Sequence, residues 1–318
     1  MIDYIFILIG LALLYQGANW FVEGASSLAK HLGISSLVIG LTVVAFGTSM
    51  PELVVNVFAS IQGNSDVAFG NIVGSNIINL LLILGVTGII APLIVQKPTV
   101  WKEIPFALLA VLVLATMSNK IMLANDSENI LTRADGIILL FFFSMFLYYI
   151  FETIRNSTNG SSANITEHSI TKISFMLIAG FIFLVIGGKL TVDGAVSIAR
   201  QMGISEFLIS STIVAAGTSL PELVTSVAAA LKKEMDISVG NILGSNIFNI
   251  FFIMGVSSII SPLTVPIGIN VDLIVLAIAT LLFFVFMFTG KKHKFERWEA
   301  LIFLAIYVGY TLFIINRG

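Results

Sequence analysis

Two glutamates lie inside apolar stretches of the sequence, each directly after a proline. Glu52 ends the segment Ala45-Phe-Gly-Thr-Ser-Met-Pro-Glu, and Glu222 ends the segment Ala215-Ala-Gly-Thr-Ser-Leu-Pro-Glu. A carboxylate within a membrane-spanning segment is costly in free energy, so a functional role is the default interpretation. The alternative is a protonated glutamate that hydrogen-bonds a neighbour. The recurrence of the residue at two matched positions disfavours that alternative.

The prolines of these two segments predict a break in each helix. Pro51 and Pro221 have no N–H group and clash with the carbonyl four residues earlier, at Gly47 and Gly217. Carbonyls around residues 45–48 and 215–218 therefore lose helical partners, and in hydrocarbon such a group costs several kcal/mol. A bound cation would satisfy them directly. The hydroxyl oxygens beside the breaks belong to Thr48, Ser49, Thr218 and Ser219.

A second motif also occurs twice and contributes further oxygen atoms. Gly70-Asn-Ile-Val-Gly-Ser75-Asn-Ile-Ile-Asn79 is matched by Gly240-Asn-Ile-Leu-Gly-Ser245-Asn-Ile-Phe-Asn249. The i, i+4 spacing places Ser75 with Asn79, and Ser245 with Asn249, on one helix face. The glycines allow close approach of helices. An alternative role for Asn71, Asn76, Asn241 and Asn246 is helix packing alone.

The side chains of both motifs offer oxygen ligands, without nitrogen or sulfur. Such a set suits hard cations, and Ca²⁺ takes about 6–8 oxygens from flexible groups. Two carboxylates supply the charge that neutralises one Ca²⁺, while hydroxyls and carbonyls on either side suit Na⁺. Because Ca²⁺ and Na⁺ would share the carboxylates, the site predicts competition between the two ions.

The composition predicts a membrane protein. Of 318 residues, 57% are hydrophobic and 11% are charged, and the mean hydropathy is +1.03. Soluble domains carry about 25% charged residues. The chain has no cysteine, which excludes disulfides and thiol chemistry, and its three histidines form no cluster in sequence. Without a nucleotide-binding loop or a nucleophile–base pair, a transporter is favoured over an enzyme.

Hydropathy predicts ten membrane spans in an all-α integral membrane fold. The start lacks the basic region of a cleaved signal peptide, so the first apolar stretch is expected to remain as a span. The spans lie at roughly 3–28, 36–61, 66–90, 103–118, 132–154, 173–199, 206–230, 237–260, 270–289 and 295–315.

The distribution of basic residues predicts the orientation. With both termini outside, eleven basic residues fall on the cytoplasmic side and four fall outside, as the positive-inside rule requires. The cytoplasmic set is Lys30, Lys97, Lys102, Arg155, Lys172, Lys232, Lys233, Lys291, Lys292, Lys294 and Arg297; the outer set is Lys120, Arg133, Arg200 and Arg317.

An internal duplication organises the chain. Residues 40–85 match residues 210–255 at an offset of 170 without a gap. Residues 1–154 form the first five-helix repeat, residues 155–172 a cytoplasmic linker, and residues 173–318 the second repeat. An odd number of spans inverts the second copy, and substrate sites of such folds lie at the midplane where broken helices meet.

At these residues the chain resembles the sodium/calcium exchanger family, of the minimal prokaryotic type. The two GTS-x-PE and two GN-x-x-GSN segments are similar to the alpha repeats of that family. The resemblance implies an electrogenic antiporter that exchanges about three Na⁺ for one Ca²⁺ by alternating access. It implies a Ca²⁺ site of Glu52, Glu222, Thr48 and Thr218. Sodium sites would add Ser49, Ser219, Ser75, Ser245 and the carbonyls of Ala45 and Ala215, with Asn79 and Asn249 facing the centre.

Two departures from related patterns narrow the choice of ions. Asn249 stands where potassium-dependent relatives carry aspartate, which weakens the case for K⁺. Gly74 and Gly244 stand where proton-coupled relatives carry glutamate, which disfavours H⁺ coupling. An H⁺/Ca²⁺ exchanger and a cation channel stay as alternatives. We expect no cofactor, no nucleic acid and no obligatory protein partner, and a location in a prokaryotic plasma membrane.

The sequence also suggests which helices move. The first and sixth spans are long, and Gly10, Gly17, Gly187 and Gly188 reduce the size of their packing surfaces. As a hypothesis, these spans slide or rock against the helices that carry the glutamates.

Overall fold

The computed structural model describes residues 2–124, 128–156, 168–203 and 215–317. Within these residues, eight helices are long and apolar enough to cross a membrane, and one bent pair provides a ninth candidate span. The prediction of an all-helical membrane fold is confirmed. The count of ten stays a prediction, because the predicted seventh span starts in the part that is not described.

The helices of the described chain follow the predicted spans closely. In the first repeat they are α1 (Ile2–Leu32), α2 (Ser36–Thr48), α3 (Met50–Ile61), α4 (Ser65–Ile90), α5 (Lys97–Met117), α6 (Lys120–Ala124) and α7 (Arg133–Asn156). In the second repeat they are α8 (Ile170–Gln201), α9 (Ala215–Thr218), α10 (Leu220–Leu231), α11 (Met235–Ile260), α12 (Ile269–Phe286) and α13 (Arg297–Arg317).

The predicted helix breaks are present. Helices α2 and α3 meet at Ser49 with a bend of 48°, and Pro51 lies in the first turn of α3. Helices α9 and α10 are likewise separated at Ser219, with Pro221 in the first turn of α10. Proline is tolerated in a first turn, where its missing N–H group would lack a helical partner anyway. Each break therefore starts a new helix N-terminus inside the membrane.

The π-helical turns of the described chain were not predicted from the sequence. One covers Gly40–Val44 in α2, and two more cover Ile78–Ile83 in α4 and Phe248–Ile253 in α11, at matched positions of the two repeats. A π turn widens the helix by one residue and frequently occurs at functional sites. Asn79 and Asn249 lie in the two matched turns, so the two helices depart from regular geometry at the predicted site.

Two short antiparallel sheets join the repeats at opposite ends of the molecule. Strand β1 (Leu93–Ile94) pairs with β4 (Lys294–Phe295), and β2 (Ile130–Leu131) pairs with β3 (Leu263–Thr264). Each sheet joins loops that the charge pattern places on the same side of the membrane. The structure therefore groups the loops as predicted, while the side that faces the cytoplasm stays a prediction.

Glycines permit close contact between helices of different repeats. A Cβ atom added to Gly187 of α8 would lie 2.7 Å from the carbonyl oxygen of Gly10 in α1. One added to Gly244 of α11 would lie 2.7 Å from the Cβ of Ala45 in α2. At Gly70 and Gly74 no described atom lies within 4 Å of such a Cβ. Close packing is thus confirmed for the second copy of the motif.

The contact at Gly187 predicts a sensitive position. Gly187→Ala would press a methyl group against backbone, which cannot move aside, so we expect about 1–3 kcal/mol of destabilisation. The matched control is Gly309→Ala in α13, where no described atom lies within 4 Å of the added Cβ. Thermal unfolding in detergent should show a lower melting temperature for Gly187→Ala alone. Equal melting temperatures for both variants would contradict the close packing of α1 and α8.

Candidate cation-binding site

Glu52 and Glu222 lie in the first turns of α3 and α10, directly after the two breaks. Both side chains are fully buried, with 0% of their surface exposed. The first N–H groups of a helix have no intrahelical acceptors, and the helix dipole is positive at that end. The breaks therefore place each carboxylate where the backbone favours negative charge, in the interior of the fold.

Each carboxylate accepts a hydrogen bond from the opposite repeat. Ser49 Oγ donates to Glu222 Oε1 over 3.1 Å, and Ser219 Oγ donates to Glu52 Oε1 over 3.4 Å. Ser75 Oγ of the same repeat also donates to Glu52 Oε1, over 3.3 Å. The serine at each break thus reaches across to the glutamate of the other break, and the two repeats share one site.

Four buried oxygens of this region have no hydrogen-bond partner among the described residues. They are Glu52 Oε2, Glu222 Oε2, Asn79 Oδ1 and Asn249 Oδ1. An unpartnered buried acceptor costs about 1–3 kcal/mol, more if it is charged. Carboxylate and amide oxygens are also the ligands that hard cations prefer. The arrangement therefore suits a bound cation.

The two carboxylates lack a basic partner in the described part of the chain. There, the ion pairs are Lys120–Asp135, His168–Glu23, Lys189–Asp193 and Lys232–Glu23, all away from the two breaks. Glu52 and Glu222 interact with each other electrostatically. Two like charges in a dry interior repel strongly and are poorly solvated. They need a cation or protons as compensation.

The threonines before the breaks use their hydroxyls within the protein. Thr48 Oγ1 donates to Asn241 Oδ1 over 2.9 Å, and Thr218 Oγ1 lies 3.5 Å from Asn71 Oδ1. The Ala45 carbonyl accepts the N–H of Ser49 over 3.0 Å. Carbonyl oxygens have a second lone pair, so the main chain at these residues keeps capacity for an ion.

The remaining predicted residues divide between the two sides of the site. Ser245 Oγ lies 3.5 Å from Thr48 Oγ1, whereas its counterpart Ser75 contacts Glu52. The two halves are thus similar without being identical. Ala215 is the first residue of α9, and its side chain lies outside the described part. Ten of the twelve predicted residues therefore lie in helices α2–α4 and α9–α11, and the other two, Ser49 and Ser219, lie at the breaks between them.

The sequence interpretation missed the cross-repeat role of Asn71 and Asn241. Asn71 Nδ2 donates to the Glu52 carbonyl over 3.3 Å, and Asn241 Nδ2 donates to the Glu222 carbonyl over 3.4 Å. Through their Oδ1 atoms both contact the threonine of the opposite repeat. Their identity at the 170-residue offset was the available signal. It did not show that these amides connect the breaks of the two repeats.

Comparison with known proteins identifies the family of this chain. The family model described as sodium/calcium exchanger protein matches residues 2–152 and 172–316. The putative antiporter CaxA of Alkalimonas amylolytica is 38% identical, with 99% of each chain covered. The sodium/calcium exchanger MaX1 of Methanosarcina acetivorans is 33% identical over 98% of each chain.

A solved structure agrees with the fold. The chain superposes on the sodium-calcium exchanger NCX_Mj, solved after a soak in 10 mM Na⁺ and zero Ca²⁺, with a TM-score of 0.82. The two are 37% identical, and 96% of each chain is covered. The match extends over nearly the whole length, and the two buried carboxylates lie where the repeats meet. The chain therefore belongs to the sodium/calcium exchanger family and is a secondary transporter, a cation/Ca²⁺ exchanger.

Proposed function

We propose that the protein exchanges Na⁺ for Ca²⁺ across a prokaryotic plasma membrane by alternating access, with about three Na⁺ for each Ca²⁺. One observation carries the proposal. Glu52 and Glu222 are fully buried, each accept a hydrogen bond from a serine of the opposite repeat, and each keep one oxygen without a partner among the described residues. A cation at the point where the repeats meet would balance the two negative charges.

In this proposal Ca²⁺ binds between the two glutamates, where charge neutralisation is complete. The carbonyls of Thr48 and Thr218 complete its shell, and Asn79 and Asn249 face the same centre. Sodium ions bind on either side. Their ligands are the hydroxyls of Ser49, Ser219, Ser75 and Ser245 and the carbonyls of Ala45 and Ala215.

The contacts support competition between the two ions. Ser75 and Ser219 both bond to Glu52 Oε1, so a sodium ion held by these hydroxyls would draw on the carboxylate that Ca²⁺ needs. Occupation by one ion removes negative charge available to the other. A transporter whose shared site binds either Na⁺ or Ca²⁺ can exchange one ion for the other.

The sliding elements in the proposal are α1 and α8. They pack tightly on each other through Gly10 and Gly187, and α1 contacts the site-bearing helix α10 as well. Movement of this pair as a unit would expose the glutamates to each side in turn. We propose that both termini face outward and that the linker, residues 155–172, is cytoplasmic and joins the two repeats.

The first prediction concerns the glutamates. Proteoliposomes loaded with Na⁺ and diluted into Na⁺-free buffer should take up radiolabelled Ca²⁺. Glu52→Gln and Glu222→Gln should each lower the uptake at least about 100-fold, because breaking a buried charge site costs 3–5 kcal/mol or more.

The matched control for these variants is Glu103→Gln in α5. Glu103 is 1% exposed and bonds to the hydroxyl of Tyr149, far from the breaks in sequence. The Glu103→Gln variant should retain Ca²⁺ uptake.

A parallel set of proteoliposomes with a pH gradient and no Na⁺ tests the alternative function. Ca²⁺ uptake under those conditions would identify an H⁺/Ca²⁺ exchanger and refute the sodium assignments.

The second prediction concerns net charge movement. Exit of about three Na⁺ for each Ca²⁺ that enters removes one positive charge from the vesicle, so an inside-positive potential should accelerate Ca²⁺ uptake. Valinomycin with K⁺ outside sets this potential. Ca²⁺ uptake without any response to voltage would indicate electroneutral exchange of two Na⁺ for one Ca²⁺. An ion flux as fast as that of a channel would favour the channel alternative.

The third prediction tests the moving pair by crosslinking in this cysteine-free chain. Ser26 of α1 donates to Glu234, which lies just after α10, over 2.8 Å. A bifunctional reagent that joins Ser26→Cys to Glu234→Cys should stop uptake, because it fixes α1 to the site-bearing helices. The control joins Asp3→Cys to Gln201→Cys within the α1–α8 pair, whose native side chains lie 3.0 Å apart. Full activity of the first crosslinked variant would refute the sliding model.

A further inference from the structure

Four asparagines of α4 and α11 form a hydrogen-bonded cluster between the repeats, with Asn76 and Asn246 as its reciprocal central pair. Asn76 Nδ2 donates to the main-chain carbonyl of Asn246 over 3.1 Å, and Asn246 Nδ2 donates to that of Asn76 over 3.3 Å. A carbonyl oxygen only accepts, so each of these contacts must use the nitrogen of the side-chain amide. The orientation of both amides is thereby fixed.

The fixed amides in turn orient their neighbours. Asn246 Oδ1 accepts Asn79 Nδ2 over 3.0 Å, and Asn76 Oδ1 accepts Asn249 Nδ2 over 2.9 Å. Asn79 and Asn249 therefore each use Nδ2 as a donor to the central asparagine of the opposite repeat. Their Oδ1 atoms are the ones left buried and without a partner among the described residues.

The remaining oxygens belong to the region of the glutamates. Asn79 lies one helical turn after Ser75, whose hydroxyl contacts Glu52, and its π turn packs against α10. The π turn of Asn249 packs against α3, which carries Glu52. An amide near carboxylates would otherwise turn its NH₂ group toward them, because a charge-assisted bond is stronger than a neutral one. That orientation would close the site against a cation.

We propose that Asn76 and Asn246 are positioning residues for cation binding. They hold Asn249 and Asn79 with oxygen, and not NH₂, toward the centre. The contacts are crossed, so each repeat supplies the residue that orients the ligand of the other. The proposal rests on the proposed function and gives a specific role to two residues for which the sequence left helix packing as an alternative.

A pair of double-mutant cycles on Ca²⁺ binding tests the crossed pattern. Asn246→Leu removes the acceptor for Asn79 and should weaken Ca²⁺ binding about tenfold in titration calorimetry, the value of one lost hydrogen bond. In an Asn79→Ala background, the same substitution should add less than about a twofold change. In an Asn249→Ala background, it should again weaken binding about tenfold, because these two side chains share no hydrogen bond.

The reciprocal cycle provides a second, independent test. Asn76→Leu should add almost no change in Ca²⁺ affinity in an Asn249→Ala background. In an Asn79→Ala background, it should weaken Ca²⁺ binding by its full amount. Melting temperatures without Ca²⁺ report the packing contribution of each variant separately.

The outcomes that overturn the proposal are clear. If Asn246→Leu lowers the melting temperature and leaves Ca²⁺ affinity unchanged, the asparagine only packs. Equal, multiplicative effects in both backgrounds would also refute orientation through Asn79. A wild-type protein that binds Ca²⁺ without sodium-driven uptake would refute the proposed function, and the cycles would still decide whether these asparagines orient the ligands.

Discussion

The rest of the structure depends on two carboxylates that are buried without a basic partner in the described part of the chain. Their burial would be prohibitive if the negative charge had no compensation. The helix breaks direct N–H groups and helix dipoles toward Glu52 and Glu222, and serines of the opposite repeat donate to both. These contacts reduce the cost and leave one oxygen of each glutamate for an ion.

The internal duplication accounts for contacts that cross between the repeats. Each repeat contributes one broken helix, and the predicted inversion would insert the two copies from opposite sides of the membrane. The hydroxyl of Ser49 at one break donates to Glu222 after the other, and the hydroxyl of Ser219 donates to Glu52. The same relation recurs for Thr48 with Asn241 and for Thr218 with Asn71. Because each half of the site is completed by the other repeat, relative movement of structural elements can change access without dismantling the ligand set.

Much of this arrangement could be predicted from the sequence, because prolines, glutamates in apolar segments, apolar spans with basic loops and a 170-residue offset have direct structural consequences. The breaks at Ser49 and Ser219 and the grouping of loops on each side of the membrane followed from such signals. The π turns at Ile78–Ile83 and Phe248–Ile253 did not, since a one-residue widening depends on packing between helices that are distant in sequence. The same holds for amide orientation in Asn76 and Asn246, which requires knowledge of the atom that each group meets.

In the proposed exchange, the lack of a lysine or arginine partner for the glutamates in the described chain would leave their charge available to the transported ions. A fixed basic side chain would neutralise the carboxylates permanently and would compete with every ion that entered. Oxygen donors without positive charge stabilise the empty site only in part, so its free energy depends on which ion is present. An empty site with two uncompensated negative charges is costly in free energy. In the proposed mechanism, the transition between the states open to either side of the membrane is therefore favoured only when an ion is bound. That condition couples the movement of one ion to the movement of the other.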